Sequence, residues 1–164
     1  MMKYAITGHT KGIGKYIYQQ MDLDIKGFSR SNGFDIDIDS HRKEIVRQVS
    51  NCDVFINNAH SGFSQCYLLI DLIKEWQYLP KKIINVGSRV CELELPPTRF
   101  DLLEYQAEKT ALRSLCQRFK EKFLCEIEYR SFGYVGTEEI LKKYTQLERK
   151  DYIPVEEAAK IIIS

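Results

Sequence analysis

The sequence has almost no net charge. Its 24 basic and 23 acidic side chains, spread along 164 residues, leave a formal +1. Nucleic-acid binders concentrate positive charge on one face, so nucleic acid is not the expected partner. No apolar run approaches the roughly 20 residues of a membrane-spanning helix, and no charged segment followed by an apolar signal core opens the chain. A membrane is therefore not expected either, and the expected location is cytoplasmic. No two cysteines stand in a C-x-x-C spacing. Cys52, Cys66, Cys91, Cys116 and Cys125 are odd in number, which suggests neither a disulfide framework nor a zinc site. No metal is expected, and the thiols are expected to be reduced and packed as small hydrophobes. Repeats, low-complexity tracts and linkers are also absent, which leaves one domain over residues 1–164, long enough for a core and too short for two.

What is present is an alternation of short apolar runs with helical patterns, the signature of an α/β domain with a mainly parallel sheet. Strands are predicted at Lys3–Thr7, Ile25–Ser29, Val54–Asn57, Lys82–Val86 and Glu126–Phe132. Helices are predicted at Ile13–Gln20, His41–Val49, Ser64–Tyr78, Leu102–Phe123 and Val155–Ile163. The fourth helix is marked by Leu112, Leu115, Cys116, Phe119 and Phe123 at helical spacing. Pro154, Glu156 and Glu157 suit the first turn of the last one. Phe34–Ile38 follows the second strand too closely for a parallel crossover; it reads as a short irregular edge, or as an extended link into a helix that Ser40 caps.

The stretch Thr7-Gly8-His9-Thr10-Lys11-Gly12-Ile13-Gly14 ends the first strand and opens the first helix. Backbone N–H groups of such a turn, with the helix N-terminus behind them, hold a pyrophosphate. Gly8 allows the tight turn, Gly12 lets phosphates approach the backbone, and Gly14 lets the helix pack closely on the sheet. Further along, Tyr105 and Lys109 stand at i and i+4, on one face of a helix. A phenol ionises near pH ~10, and a neighbouring ammonium favours its ionised form, which suits acid and base work.

The spacing T-G-x-x-x-G-x-G resembles the cofactor loop of the short-chain dehydrogenase/reductase family. Other landmarks follow in that family's order: Asn57-Asn58-Ala59 after a strand, Ser88 after the next, Tyr105-x-x-x-Lys109 on the long helix, then Gly133-Tyr134-Val135-Gly136-Thr137. The resemblance implies a Rossmann-like, doubly wound, mainly parallel sheet of about six strands that lacks the usual final strand. It also implies that Tyr105 exchanges a proton with the substrate oxygen, that Ser88 hydrogen-bonds that oxygen, and that Lys109 holds the nicotinamide ribose. Cofactor contacts are implied at Gly8, Thr10, Lys11, Gly12, Ile13, Gly14, Arg30, Asp37, Asn58, Ala59, Tyr105, Lys109, Val135 and Thr137. Arg30, at the end of the second strand, and Lys11 are basic where the adenosine ribose is read, which points to the 2′-phosphate of NADP(H). Asp37 resembles the family's acidic contact to adenine.

The departures carry information too. His60 stands where the family has glycine, Phe132 where it has proline, and the family's asparagine on the next helix has no match; Gln65 is the nearest amide. Seventeen positions separate Ser88 from Tyr105, and this wide gap is expected to form a loop, Cys91–Pro97, beside the site. Family members are commonly much longer, and the helix that they usually have between their second and third strands is missing here from the short connection into Phe34–Ile38, leaving Glu138–Asp151 as the lid. The reading is an NADP(H)-dependent oxidoreductase acting on a small carbonyl or alcohol. The alternatives are a catalytically weak NADP(H)-binding sensor or interaction protein, and an NADP-linked isomerase or dehydratase. A homodimer is expected through the two long helices, with Trp76 and Tyr78 as candidate contacts.

Overall fold

Alternation of apolar side chains decides which face of the sheet each strand feeds. The computed structural model describes residues 1–164. Its main sheet has five parallel strands: β1 (Lys3–Thr7), β2 (Asp24–Phe28), β3 (Val54–Asn57), β4 (Lys82–Ser88) and β5 (Glu126–Phe132), in the order β2-β1-β3-β4-β5. Ala5, Phe55 and Ile83 pack with Leu68, Leu72, Trp76 and Leu112 on one face. Ile6, Ile56 and Ile84 pack with Ile17, Ala158 and Ile162 on the other. Central strands that read as unbroken apolar runs are what a sheet covered on both faces requires. Helices α1 (Gly12–Gln20) and α6 (Val155–Ile163) supply one cover; α2 (Asp39–Gln48), α3 (Ser64–Trp76) and α4 (Phe100–Phe119) supply the other.

The predicted elements are present, with most boundaries displaced by one or two residues. The main sheet holds five strands rather than about six. β6 (Val135–Gly136) instead pairs with β7 (Ile153–Pro154) in a separate two-stranded sheet, with the short helix α5 (Glu138–Lys143) between them. Phe34–Ile38 forms no strand, because Asp35 O accepts from Ile38 N at 3.1 Å and turns the chain into α2. Ser40 does not cap that helix; Ile38 takes the cap position without a side-chain bond. α4 stops at Phe119, before the end its apolar spacing predicts. Glu121 adopts φ +58°, and Leu124 N then donates to Gln77 O at 2.8 Å, so Phe123 packs on Phe119 from the turn and mimics a further helical step. Trp76 is buried against Phe55 and is therefore core rather than a dimer contact, whereas Tyr78 is exposed.

This topology fixes where a ligand can lie. β2 and β3 flank β1 on opposite sides, and the helices that follow β1 and β3 leave on opposite faces. A crevice therefore opens beyond the carboxyl ends of β1 and β3, the switch point at which open α/β sheets bind ligands.

Candidate active site

The glycine loop lies at that switch point. Gly8, at φ +73°, donates its N–H to Phe28 O at 2.8 Å and so turns the chain off β1. Gly14 packs so closely that a Cβ there would lie 2.1 Å from Gly8 O. Thr7 Oγ1 accepts from both Asn58 N and Ala59 N at 3.1 Å, and Asn58 Nδ2 donates to Thr7 O and Gly8 O at 3.1 and 3.3 Å. Asn58 and Ala59 thus brace the loop. α1 begins without a side-chain cap and without an acidic residue in its first turn. Its first N–H groups and the positive end of its dipole suit a phosphate. Thr10, Lys11, Gly12 and Thr137 border a cavity of about 240 Å³ on the outer side of the loop. Thr137 Oγ1 also accepts from Ile140 N at 3.3 Å, which caps α5. Val135 is buried in the core, which leaves its backbone for a ligand, and Ile13 is half-buried against the same cluster.

Arg30 and Lys11 already have carboxylate partners. Arg30 Nε lies 3.3 Å from Asp35 Oδ2 and its Nη2 lies 3.6 Å from Asp37 Oδ2. Lys11 Nζ lies 3.6 Å from Glu139 Oε1. Asp37 also accepts from Ser61 Oγ at 2.7 Å and Ser64 Oγ at 2.5 Å, and these two hydroxyls hold its carboxyl below the usual range.

At the other end of the crevice, β4 and α4 bring Ser88, Tyr105 and Lys109 together. Ser88 Oγ accepts from Val90 N at 3.1 Å, which leaves its O–H free to donate. Burial pushes the Tyr105 phenol above its ordinary pKa, against the lowering effect of its hydrogen bond with Ser88. The expectation of a phenol lowered by its neighbour is therefore reversed in the free protein, because desolvation dominates its environment. Lys109 is buried, its Nζ 5.8 Å from the centre of the Tyr105 ring, and desolvation lowers it to about 8. The Cys91–Pro97 segment lies beside these groups: Gln106 Nε2 ties it down by donating to Val90 O and Leu93 O at 2.8 and 2.7 Å.

Two further side chains complete the site. Gln65, in the first turn of α3, accepts from Lys109 Nζ at 2.8 Å through Oε1. His60 meets the Tyr105 ring edge to face at 4.9 Å and places Nε2 2.9 Å from Glu108 Oε2. Opposed effects act on that imidazole. The carboxylate contact favours a charged ring, but burial and the Lys109 ammonium dominate and lower it to about 4. A neutral ring that donates Nε2–H to Glu108 satisfies both. Only the departure from glycine marks His60 in the sequence, and Gln65 is a single amide at the head of an apolar helix.

The His60 shift has a stability consequence. Its folded pKa of about 4 lies below the ordinary 6.5, so the unfolded chain binds this proton first. Its contribution is complete above about pH 6.5 and is lost as pH falls towards 4. With the ring partly open to solvent, the loss is expected to be on the order of 1 kcal/mol. Thermal melts of wild type and His60→Gln at pH 7 and pH 4.5 check this; equal acid sensitivity in the two proteins counts against it.

No protein-family model matches the sequence, and no curated protein matches it. Solved structures do. A small-chain dehydrogenase in complex with NADPH superposes with a TM-score of 0.76 at 14% identity, over 99% of this chain and 89% of that one. BdcA in complex with NADPH gives 0.76 at 16% identity, covering 99% and 85%. An oxidoreductase of the short chain dehydrogenase/reductase family from Burkholderia thailandensis gives 0.76 at 14%, covering 99% and 84%. Likeness at these identities establishes the fold: the chain is folded as these dehydrogenases are.

Proposed function

We propose that this chain is a compact short-chain dehydrogenase/reductase that moves hydride between NADP(H) and a small carbonyl or alcohol. The observation that carries the reading is the convergence of Ser88, Tyr105 and Lys109 beside a crevice whose far end is an uncapped, glycine-lined helix start. The site fits a dinucleotide. Backbone N–H groups around Gly12 and Ile13 take the pyrophosphate, and Arg30 and Lys11 take the 2′-phosphate by leaving their carboxylate partners. Asp37 contacts the adenine. The choice of NADP(H) is also supported by the NADPH named with two of the similar structures.

When bound, the nicotinamide supplies or accepts the hydride. The protein supplies the proton. Tyr105 O–H donates to the carbonyl oxygen during reduction, and the Ser88 hydroxyl donates a second hydrogen bond to the same oxygen. The Lys109 ammonium stabilises the phenolate left behind and keeps one N–H for the ribose. The outer faces of α3 and α4, where Tyr67 and Phe100 are exposed, together with the exposed Tyr78 just beyond α3, are the proposed homodimer contact.

Fluorescence titration with NADPH and NADH, followed by NADPH oxidation against a panel of carbonyls, tests the reading. NADPH is expected to bind more tightly; no binding of either nucleotide in the tens of micromolar overturns it. NADPH binding without turnover would support the second reading, a catalytically weak NADP(H)-binding sensor.

The carboxylates on Arg30 give a separate prediction. Asp35 competes with a 2′-phosphate for the guanidinium. An exposed pair contributes up to about 1 kcal/mol, so Asp35→Asn is expected to raise the NADPH-over-NADH preference about threefold. An unchanged ratio of the two dissociation constants would show that Arg30 does not read the phosphate.

A further inference from the structure

Gln65 makes a set of contacts that its position in an apolar helix does not require. The residue is 2% exposed. Its Nε2 donates to Asn57 O at 2.7 Å and to Val86 O at 3.0 Å, and its Oε1 accepts from Lys109 Nζ at 2.8 Å. The amide orientation follows from these partners. A flipped group would set oxygen against two carbonyl oxygens and nitrogen against an ammonium. The support extends further: Asn57 Nδ2 donates to Gln65 O at 3.0 Å and to Asn85 Oδ1 at 2.9 Å, and Asn85 Nδ2 donates to Glu128 O at 3.1 Å. β3, α3, β4, α4 and β5 are thereby joined in one buried network around a single lysine.

The acceptors of that lysine are both neutral. Lys109 Nζ bonds to Gln65 Oε1 and, at 3.3 Å, to Val86 O, and it takes part in no ion pair. The titratable groups around it are Cys66 from α3, Cys91 from the segment after β4, and Glu108 and Tyr105 from α4; His60 faces it from the loop after β3. A carboxylate acceptor in place of the amide would fix the ammonium but cancel its field at the phenol. An apolar residue there would leave a buried cation with one carbonyl, and the cation would shed its proton.

We propose that Gln65 is a positioning residue of the active site: its side-chain oxygen holds the Lys109 ammonium protonated and uncancelled, so that its charge acts on Tyr105. Gln65 touches neither nucleotide nor substrate in this role and acts only through the lysine. The catalytic consequence rests on the oxidoreductase reading, but the clamp does not, and the two are tested separately.

The test follows the Lys109 Cε resonance through a pH titration of the full chain labelled with ¹³C lysine, without nucleotide, in wild type, Gln65→Leu and Gln65→Glu. Lys109→Arg identifies the resonance. In wild type the lysine is expected to remain protonated at pH 7. Its midpoint is expected to fall by about one unit in Gln65→Leu and to rise in Gln65→Glu. Where turnover is measurable, both variants are expected to lose about tenfold in kcat at pH 7, with the NADPH dissociation constant nearly unchanged. The pH limit set by Lys109 is expected to move with the NMR midpoint. Unchanged midpoints in folded variants overturn the proposal, as does a wild-type lysine already neutral at pH 7, an outcome that needs no variant to fold. Shifted midpoints in a protein that binds no nucleotide leave the clamp in place and remove the oxidoreductase reading instead.

Discussion

Tyr105→Phe is expected to lower kcat for carbonyl reduction by about 10²–10⁴-fold while leaving NADPH affinity within about twofold. The substitution removes one oxygen and keeps the ring, so the edge-to-face contact with His60 at 4.9 Å persists. What disappears is the proton donor. Burial raises the phenol above its ordinary pKa, so near neutrality it is protonated and ready for the reductive direction. The oxidative direction needs the phenolate and therefore accelerates as pH rises. Lys109 opposes that trend, because it loses its charge near pH 8 and with it the stabilisation of the phenolate. Reduction is thus expected to be fastest below about pH 8 and to decline above it, and oxidation to peak on the alkaline side. Rates in both directions from pH 6 to 10, for wild type and variant, check both statements. A variant that keeps a tenth of wild-type kcat would place the acid elsewhere.

Much of this arrangement is legible from residue spacing because it depends on local geometry. Tyr105 and Lys109 share a helix face at any i, i+4 separation. The glycine loop follows from a strand, a turn and a helix in succession. The two faces of the sheet follow from neighbours such as Ala5 and Ile6, which point opposite ways and join different clusters. The features that spacing leaves open all depend on which distant group approaches. Gln65 meets Lys109 across 44 positions, and a glutamine at the head of an apolar helix carries no local mark of that partner. Arg30 reads as a free cation until the turn at Asp35 returns two carboxylates to it. The direction of the Tyr105 shift depends on how much water its pocket excludes, and helical spacing contains no term for that. Phe123 continues an apolar period after the helix has ended, because packing reaches it from the turn as readily as from a further helical step.

The largest structural effect is expected at Gly14. Helix propensity alone favours Gly14→Ala, since alanine in a helix is better than glycine by about 1 kcal/mol. Space decides the other way. The new Cβ would lie 2.1 Å from Gly8 O and 2.7 Å from Asn58 Nδ2. The nearest obstacle is backbone, so no side-chain rotation relieves the contact, and α1 must move off the strand that carries the loop. Overpacking of this kind costs about 1–3 kcal/mol, and the displacement reaches Gly8 and the Asn58 bonds that brace the phosphate site. Gly14→Ala is therefore expected to lower stability by about 2 kcal/mol and NADPH affinity by at least about tenfold. Gly33→Ala is the matched control. Its Cβ meets no atom within 4 Å, but its φ is +91°, so its cost of about 1 kcal/mol is purely conformational and NADPH affinity is expected to hold. Denaturant unfolding and nucleotide titration of both variants separate crowding from backbone strain. If Gly14→Ala is as stable as wild type and binds NADPH equally well, the close approach of α1 to Gly8 is not what shapes the phosphate site.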